Sequence, residues 1–309
     1  MATRPVNAAA AARHSRRGGA DTADTADTAD MADGMSGTAG TADTSVGERE
    51  RKAWRAVAII VLTLGVLAGA GMAWGVMAYR TTTTTRTFLG PVTAVELNAE
   101  AAQVRVEAGA PDRVTVDQRA DWALRPPAVE ESLENGTLRI TVRCGTIVGP
   151  LDAEPFGCGL LLDIRIPAGV PVHARATSGG FSARGLSGEL RIETTSGAIR
   201  LDAVSGPVWA KASSGQITGE TLTSTRIRAV LTSGQLLLMF ARPPEEVTVT
   251  ATSGQVDLEL PADPAGYRID HSTSSGAVDI NPALRSDTST RHLDIATSSG
   301  QISVEKATP

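Results

Sequence analysis

Four carboxylates and three histidines in this 309-residue chain are the side chains best suited to acid–base chemistry. On a β-solenoid, two carboxylates on one face can cleave a polysaccharide when one protonates the leaving group and the other activates water or attacks. Asp257 and Asp279 take the same place in two copies of an internal repeat, so we expect them to lie side by side. The full set is Asp257, Glu259, Asp279 and Asp294, with His173, His271 and His292.

The repeat itself argues against catalysis by these residues. The position of Asp257 and Asp279 holds unrelated residues elsewhere, which is typical of a solvated strand face. His271 replaces an apolar strand residue, so we expect a partly buried structural histidine. No serine lies in a G-x-S-x-G elbow with a matching acid and base. We therefore predict no catalytic residue, and a glycan-processing enzyme is the weakest of three functional alternatives.

Cys144 and Cys158 are the two cysteines of the chain. If this part of the chain is exported they can form a disulfide, which would close a loop of about 15 residues and contribute roughly 3 kcal/mol. The alternative is two free thiols in a reducing compartment. No histidine or further cysteine lies at ligand spacing, and the turns lack the aspartate of calcium-binding repeats, so we predict neither a metal nor a cofactor.

A tripeptide of Thr or Ser followed by Ser-Gly recurs seven times after residue 175, with successive copies spaced by 18 to 24 residues. The residue three positions after each serine is apolar in all seven copies, and the residue five positions after it is mostly apolar. This period of two predicts that each copy enters a β-strand. The seven copies are Ser178-Gly179, Ser196-Gly197, Ser214-Gly215, Ser233-Gly234, Ser253-Gly254, Ser275-Gly276 and Ser299-Gly300.

Each repeat is predicted to be one coil of a β-solenoid. Ser187-Gly188 and Ser205-Gly206 lie midway between early copies, which gives two strands and two turns per coil. A single coil cannot bury its apolar face, so coils must stack. Stacking as parallel coils is favoured, and an antiparallel meander remains open. Four glutamines share one repeat position and could form an amide ladder when stacked in register. They are Gln216, Gln235, Gln255 and Gln301.

Residues 88–174 are predicted to form hairpin strands ahead of the solenoid. A turn cluster at residues 109–112 joins strands around Val106 and Val114. Asn135-Gly136 is a strong hairpin signal. The two cysteines bracket the loop between two of these strands.

The uncharged segment Ala56–Tyr79 predicts a transmembrane helix, since its 24 residues span roughly 36 Å at about 1.5 Å each. More basic residues precede it than follow it, which places the N-terminus in the cytoplasm. A cleaved signal peptide is the alternative. Small residues within the span can bring two helices together, which predicts a homo-oligomer as one option. They are Gly65, Gly69, Gly71 and Gly75.

Residues 1–53 have low complexity and predict a disordered cytoplasmic tail. Residues 80–87 are rich in threonine and predict a stalk. The formal net charge is -5, and no basic patch lies outside the membrane flank, so we expect no binding to nucleic acid.

The repeated Ser-Gly-[Gly/Ala/Gln]-apolar pattern behind one membrane span resembles a bacterial family of adhesin-like, β-strand-repeat (toast-rack) envelope proteins. The resemblance covers about residues 88–306. It implies an all-β ectodomain, with hairpin strands over 88–174 and a β-solenoid of about seven coils over 175–306. It brings no catalytic residues, and it implies roles in adhesion or cell-envelope stress.

From these observations we predict a membrane-anchored, extracytoplasmic protein that binds or scaffolds an envelope component without catalysis. Its partners would be the lipid bilayer and a cell-wall glycan or an envelope protein. The alternative function is an envelope-stress sensor or accessory subunit of a membrane signalling complex.

Overall fold

A computed structural model describes residues 44–78, 80–122, 126–144 and 159–307, and it describes the side chains of all of these except residues 44–51 and 71–78. The described part contains one α-helix, fifteen β-strands and one short 3-10 helix. The helix is α1 (Thr44–Ala78), and the 3-10 helix covers Pro282–Leu284. The strands are β1 (Arg80–Leu89), β2 (Ala94–Ala101), β3 (Gln103–Ala108), β4 (Arg113–Trp122), β5 (Ala128–Glu134), β6 (Thr137–Arg143), β7 (Gly159–Ile166), β8 (Val172–Arg184), β9 (Leu190–Asp202), β10 (Val208–Leu222), β11 (Arg226–Phe240), β12 (Glu246–Leu260), β13 (Arg268–Ser275), β14 (Val278–Ile280) and β15 (His292–Lys306).

Helix α1 contains the one segment of the described chain that is long and apolar enough to cross a membrane, Lys52–Ala70, with a mean hydropathy of 2.0. Its large apolar side chains are exposed, for example Trp54 and Leu62. The helix begins at Thr44, so residues 44–53 are helical where disorder was predicted. The rest of the predicted tail, residues 1–43, lies outside the described residues.

Strands β8 to β12 and β15 each run through a Ser-Gly dipeptide, which we call the corner. In β9, Leu190 and Ile192 are buried before the corner, and Ile199 and Leu201 are buried after it. We call the part of each strand before the corner its first arm and the part after it its second arm. Every second residue points inward in both arms, but the inward residues of β9 are even-numbered before the corner and odd-numbered after it. The first arm and the second arm of each coil consequently contribute to the same apolar core. We call the two sets of arms the first-arm layer and the second-arm layer.

Neighbouring coils are parallel and in register, which decides between the two stacking modes that the sequence left open. Ser196 pairs with Ser214, Ser214 with Ser233, and Ser233 with Ser253. The apolar residue three positions after each corner serine is buried in six of the seven copies and half-buried at Val278. The predicted inward positions are thus confirmed.

The order of the coils in space departs from their order in sequence at the C-terminal end. The sheet order is β11, β12, β15 and β13, with β14 also pairing β15. The last repeat of the sequence therefore lies between the fifth and sixth repeats. Strand β13 is therefore an edge strand, with β15 as its neighbour.

The solenoid extends further towards the N-terminus than predicted. Strand β2 pairs in parallel with the first arm of β8, and β3 pairs in parallel with the second arm, so β2 and β3 together form another coil. Strands β6 and β7 add a further coil in the same way, on β2 and β3. The strands predicted to precede the solenoid therefore share its core.

Two of the predicted connections in this region have different outcomes. The Asn135-Gly136 hairpin is confirmed, because β5 and β6 are antiparallel and both turn residues have positive φ. Strands β3 and β4, in contrast, do not pair as a hairpin, because β7 lies between them.

The predicted threonine stalk is instead part of the sheet. Residues 80–89 form β1, which pairs antiparallel with β4 from Arg80–Trp122 to Leu89–Arg113. Thr81 and Thr85 donate hydrogen bonds to Asp121 and Asp117 across this pair. The β-branched threonines suit an exposed edge strand. The sequence predicted a stalk because a run of polar residues is also typical of a linker.

The corner glycines stack so closely that nothing larger than hydrogen fits at their α-carbons. A Cβ atom on Gly234 would overlap the carbonyl oxygen of Gly215, and one on Gly254 would overlap that of Gly234. The backbone at Gly234 also has a φ of 137°, which residues with a side chain rarely adopt. The same overlap recurs along the column, whose order in space is Gly179, Gly197, Gly215, Gly234, Gly254, Gly300 and Gly276.

A second turn closes each coil where a midway Ser-Gly was noted. A Cβ atom on Gly206 would overlap the carbonyl oxygen of Gly188. The next coil replaces this pattern with Ser224, which is buried and donates a hydrogen bond of 2.7 Å to the carbonyl oxygen of Gly206. Each coil therefore has two arms and two turns, although the two arms of β8 to β12 and of β15 belong to one continuous strand.

We expect Gly234→Ala to lower the free energy of unfolding by about 3 kcal/mol or more, because the new methyl group must displace the neighbouring backbone. Gly180→Ala is the matched control. Position 180 follows a corner glycine, its nearest atom to an added Cβ is 3.9 Å away, and the next coil carries Ala198 at that place.

Chemical denaturation of the full chain in detergent, followed by circular dichroism, measures both variants. The control should stay within about 1 kcal/mol of the parent protein. Equal stability of Gly234→Ala and Gly180→Ala would show that the column is not close-packed.

Tyr267 is fully buried near the C-terminal edge, and its hydroxyl donates a hydrogen bond of 2.8 Å to the carbonyl oxygen of Pro261. Burial, assisted by the negative charge of Asp263, raises the pKa of Tyr267 from 10.0 to about 12. The neutral phenol is thus favoured in the folded state. This stabilisation is complete below pH 10 and is lost as the pH rises through about 12.

We therefore expect the Tyr79→Phe variant, which keeps Tyr267 as its one tyrosine, to ionise near pH 12 in an ultraviolet titration. A transition near pH 10 would mean that Tyr267 is exposed. The Tyr267→Phe variant is the control, because it should lack the transition near pH 12.

Candidate binding surface at the corners

The stacked corners form a continuous, uncharged polar strip along the solenoid. Each coil contributes its corner serine and the hydroxyl residue before it, and four coils add a glutamine two positions after the serine. We call this strip the corner ridge. The residues before the serines are Thr177, Thr195, Ser213, Thr232, Thr252, Ser298 and Ser274 in spatial order.

The ridge is exposed, and the fold holds it in a fixed geometry. All of its hydroxyl residues are exposed except Ser178 and Ser213, which are half-buried. Buried apolar residues stand on both sides of each corner, for example Leu231 and Leu236 around Ser233. Ladder pairing continues through the corner from coil to coil. Successive side chains therefore repeat at the spacing of β-strands, about 4.8 Å, and the seven coils span about 29 Å.

The four glutamines stack in register as predicted, since Gln216 pairs with Gln235, Gln235 with Gln255, and Gln255 with Gln301. Their side chains are exposed. Gln255 donates a hydrogen bond of 2.9 Å to the Oδ2 atom of Asp257 on its own strand. Within the described residues no side-chain bond joins two of the glutamines, so the predicted amide ladder is not formed.

The ridge ends at β8, because the neighbouring coil of β2 and β3 has Ala101-Ala102 in place of a Ser-Gly corner. Ala101 pairs with Ser178, the first corner serine. If the pairing of β2 with β6 is continued by two residues, Cys144 lies beside Ala101. The Sγ atom of Cys144 is 3.3 Å from the carbonyl oxygen of Ala101. Cys158 lies outside the described residues, so the Cys144–Cys158 disulfide remains a prediction.

The carboxylates considered for catalysis do not converge. Asp257 pairs with Ser303 on one side, and Asp279 pairs with Ser303 on the other. The expectation that they lie side by side is thus wrong, because β15 separates them by two strand spacings, about 9.6 Å. Asp294 lies on a first arm of the solenoid, in register with Thr248, whereas Asp257 and Glu259 lie on a second arm.

The histidines are also separate. His271 is exposed rather than partly buried, because β13 is an edge strand with a neighbour on one side only. His173 is exposed on the first-arm layer. His292 contacts Asp270 at 2.8 Å, and this hydrogen bond, with a smaller effect from Arg268, lowers the pKa of Asp270.

No group of three His, Cys, Asp or Glu side chains that could hold a metal ion occurs in the part of the chain that the structure describes. Two shallow grooves of about 400 and 370 Å³ lie on the first-arm layer. They share Asn98, Arg175 and Glu193, and the larger one reaches the ridge at Thr195 and Ser213. Sequence reasoning missed these grooves, because they depend on which strands are neighbours.

Comparison with known proteins places the repeat in a described family. Residues 171–305 match the family described as Toastrack DUF4097. No curated protein matches this chain.

Solved structures with similarity to the chain come from several bacteria. A proposed cell adhesion protein of Clostridium sporogenes is 13% identical, with 73% of this chain and 100% of that chain covered and a TM-score of 0.37. A proposed adhesin of Parabacteroides distasonis is 11% identical, with 74% and 97% covered and a TM-score of 0.41. A proposed adhesin of Bacteroides fragilis is 10% identical, with 73% and 97% covered and a TM-score of 0.38.

The matched residues begin just before β8 and end within β15, so they contain all seven Ser-Gly corners. The resemblance inferred from the repeat is confirmed. Residues 171–305 of this chain are therefore a Toastrack domain.

Proposed function

We propose that the protein is a membrane-anchored, non-catalytic envelope protein that binds a neutral cell-wall glycan along the corner ridge. The observation that carries this proposal is the continuous, uncharged strip of exposed hydroxyl and amide side chains, in register over seven coils. Side chains of this kind both donate and accept hydrogen bonds, as sugar hydroxyls do. A strip that repeats at every coil suits an extended polymer better than a small ligand.

The anchor in this proposal is helix α1. Its segment Lys52–Ala70 is apolar and exposed, and such a surface needs a lipid or protein environment. The excess of basic residues before the segment supports a cytoplasmic N-terminus and an extracytoplasmic β domain. The same export would allow the Cys144–Cys158 disulfide to form.

The separation of the aspartates considered for catalysis supports a binding role. Asp257 and Asp279 are separated by a strand, and Asp294 lies on a different arm. A glycosidase instead needs two carboxyl groups that flank one glycosidic bond. The same ridge without such a pair can hold a glycan but has no acid and base to cleave it.

We expect the triple variant Gln216→Ala, Gln235→Ala and Gln255→Ala to bind insoluble cell-wall glycan at least about tenfold more weakly. Three lost hydrogen bonds, at about 0.5–1.5 kcal/mol each, amount to that change or more. The measurement is co-sedimentation of the full chain in lipid nanodiscs with purified wall glycan.

The matched control replaces three outward polar residues away from the ridge, Thr248→Ala, Thr250→Ala and Ser272→Ala, and should bind like the parent protein. The proposal is contradicted if the parent protein does not sediment with the glycan, or if the glutamine variant binds as tightly as the control.

A second candidate function, sensing at the envelope, is favoured by the short connection between the helix and the sheet. Helix α1 ends at Ala78 and β1 begins at Arg80, where a threonine stalk had been predicted. A paired strand that follows a membrane helix within one residue could transmit a displacement of the β domain to the helix. A flexible stalk would not transmit it.

We expect a flexible Gly-Ser insertion between Tyr79 and Arg80 to abolish an envelope-stress response that depends on this protein, while leaving glycan binding intact. The same insertion after Ala307 is the control. Transcript levels of the response in cells that carry each variant provide the measurement. An unchanged response in the Tyr79–Arg80 variant would exclude this second function.

A further inference from the structure

The first-arm layer carries an excess of positive charge on strands β8 to β11. Arg175 and Arg191 share a single carboxylate, Glu193, at 3.9 and 3.7 Å. Lys211 and Arg228, on the next two strands, are exposed and form no ion pair with the described residues. We call the outward surface formed by Arg175, Arg191, Lys211 and Arg228 the basic face.

The second-arm layer carries the opposite charge on strands β10 to β15. Five carboxylates point outward there, and none is in an ion pair within the described part of the chain. Glu259 and Glu305 are direct neighbours across β12 and β15. We call this surface the acidic face, and its residues are Glu220, Asp257, Glu259, Asp279 and Glu305.

The acidic face differs from the rest of the same layer. Towards the N-terminal coils, outward carboxylates are paired across neighbouring strands, as in Arg105–Asp163 at 3.0 Å, Arg165–Asp117 at 3.0 Å and Arg184–Asp202 at 2.8 Å. On the acidic face this pairing stops. Like charges on adjacent strands repel, and a cationic partner would relieve that repulsion.

We propose that the protein associates with copies of itself, the basic face of one copy docking on the acidic face of the next. The two faces belong to opposite layers of one core, so both can be occupied at once. Such a contact is heterologous, and it would build a row of copies rather than a closed dimer. The two faces and the corner ridge consist of different residues, and the ridge meets the acidic face at the hydrogen bond from Gln255 to Asp257.

Charge complementarity selects a second copy as the occupant. A polyanion would bind the basic face but leave the acidic face without a partner. The chain itself supplies both surfaces, and opposite charges across an interface favour encounter and fix orientation. The ridge stays exposed in such a row, so association would align several ridges side by side.

The contact should depend strongly on salt, because the charges are exposed. The screening length is about 30 Å at 0.01 M ionic strength and about 8 Å at 0.15 M. We therefore expect sedimentation velocity of the full chain in detergent to show association that grows with protein concentration at low ionic strength and weakens as salt is added.

Charge reversal provides the decisive test. The basic-face variant Lys211→Glu/Arg228→Glu and the acidic-face variant Asp279→Lys/Glu305→Lys should each lose this association. When the two are mixed they should associate again, because each now supplies the charge that the other lacks. The control Arg113→Glu/Arg119→Glu changes the net charge as much as the basic-face variant does, away from both faces, and should associate like the parent protein.

Recovery in the mixture also shows that both variants are folded. Three results would overturn the proposal: a parent protein that does not associate at low salt, variants that associate alone as well as the parent protein does, or a mixture that does not recover. Association through helix α1 would have the same strength in all of these proteins, because none of the substitutions lies in that helix. Glycan binding by the charge-reversed variants should be unchanged, so failure of this proposal is distinguishable from failure of the proposed function.

Discussion

The stacking of backbone on backbone at the corner glycines is the constraint on which the rest of the structure depends. The carbonyl oxygen of Gly215 occupies the space that a Cβ atom on Gly234 would need, and this relation repeats along the column. Because the seven Ser-Gly coils fit on their neighbours only with glycine at this point, their corners must coincide. Once the corners coincide, the register of both arms follows.

This register explains why the chain can form a stable domain with few aromatic residues, which make up 3% of its composition. Small and branched side chains such as Ile192 and Val249 stack on their counterparts in adjacent coils, and the two layers enclose them from both sides. The same register aligns the polar residues outside. The ridge is therefore a consequence of the packing at the glycines, and any ligand that it binds meets a rigid, repeating surface.

The sequence predicted the coils, the corners and the inward positions correctly, because the Ser-Gly repeat is tied in phase to the apolar residues. It did not decide between parallel and antiparallel stacking, since alternation along a strand is the same in both. The insertion of β15 between β12 and β13 could not be predicted either. All coils share one pattern, so no local signal tells which coil lies next to which.

The sequence likewise predicted some features of the candidate site and not others. The glutamine column was predicted because its members occupy one repeat position, and their register is confirmed, although the amides do not bond to one another. The adjacency of Asp257 and Asp279 was wrong, and His271 is exposed, both because of where β13 and β15 lie. The basic and acidic faces depend on neighbours across strands and are not apparent along the chain.

Disulfide cross-linking between introduced cysteines tests the central claim, that the corners stack in register in this spatial order. Ser253 and Ser299 are direct neighbours on β12 and β15, at a strand spacing of about 4.8 Å, which a disulfide can bridge. Ser253 and Ser275 are consecutive repeats in the sequence but lie two strands apart, at about 9.6 Å, which a disulfide cannot bridge. In a background without the native cysteines, the account predicts rapid cross-linking of Ser253→Cys/Ser299→Cys and none of Ser253→Cys/Ser275→Cys. Cross-linking of the second pair and not of the first would contradict it.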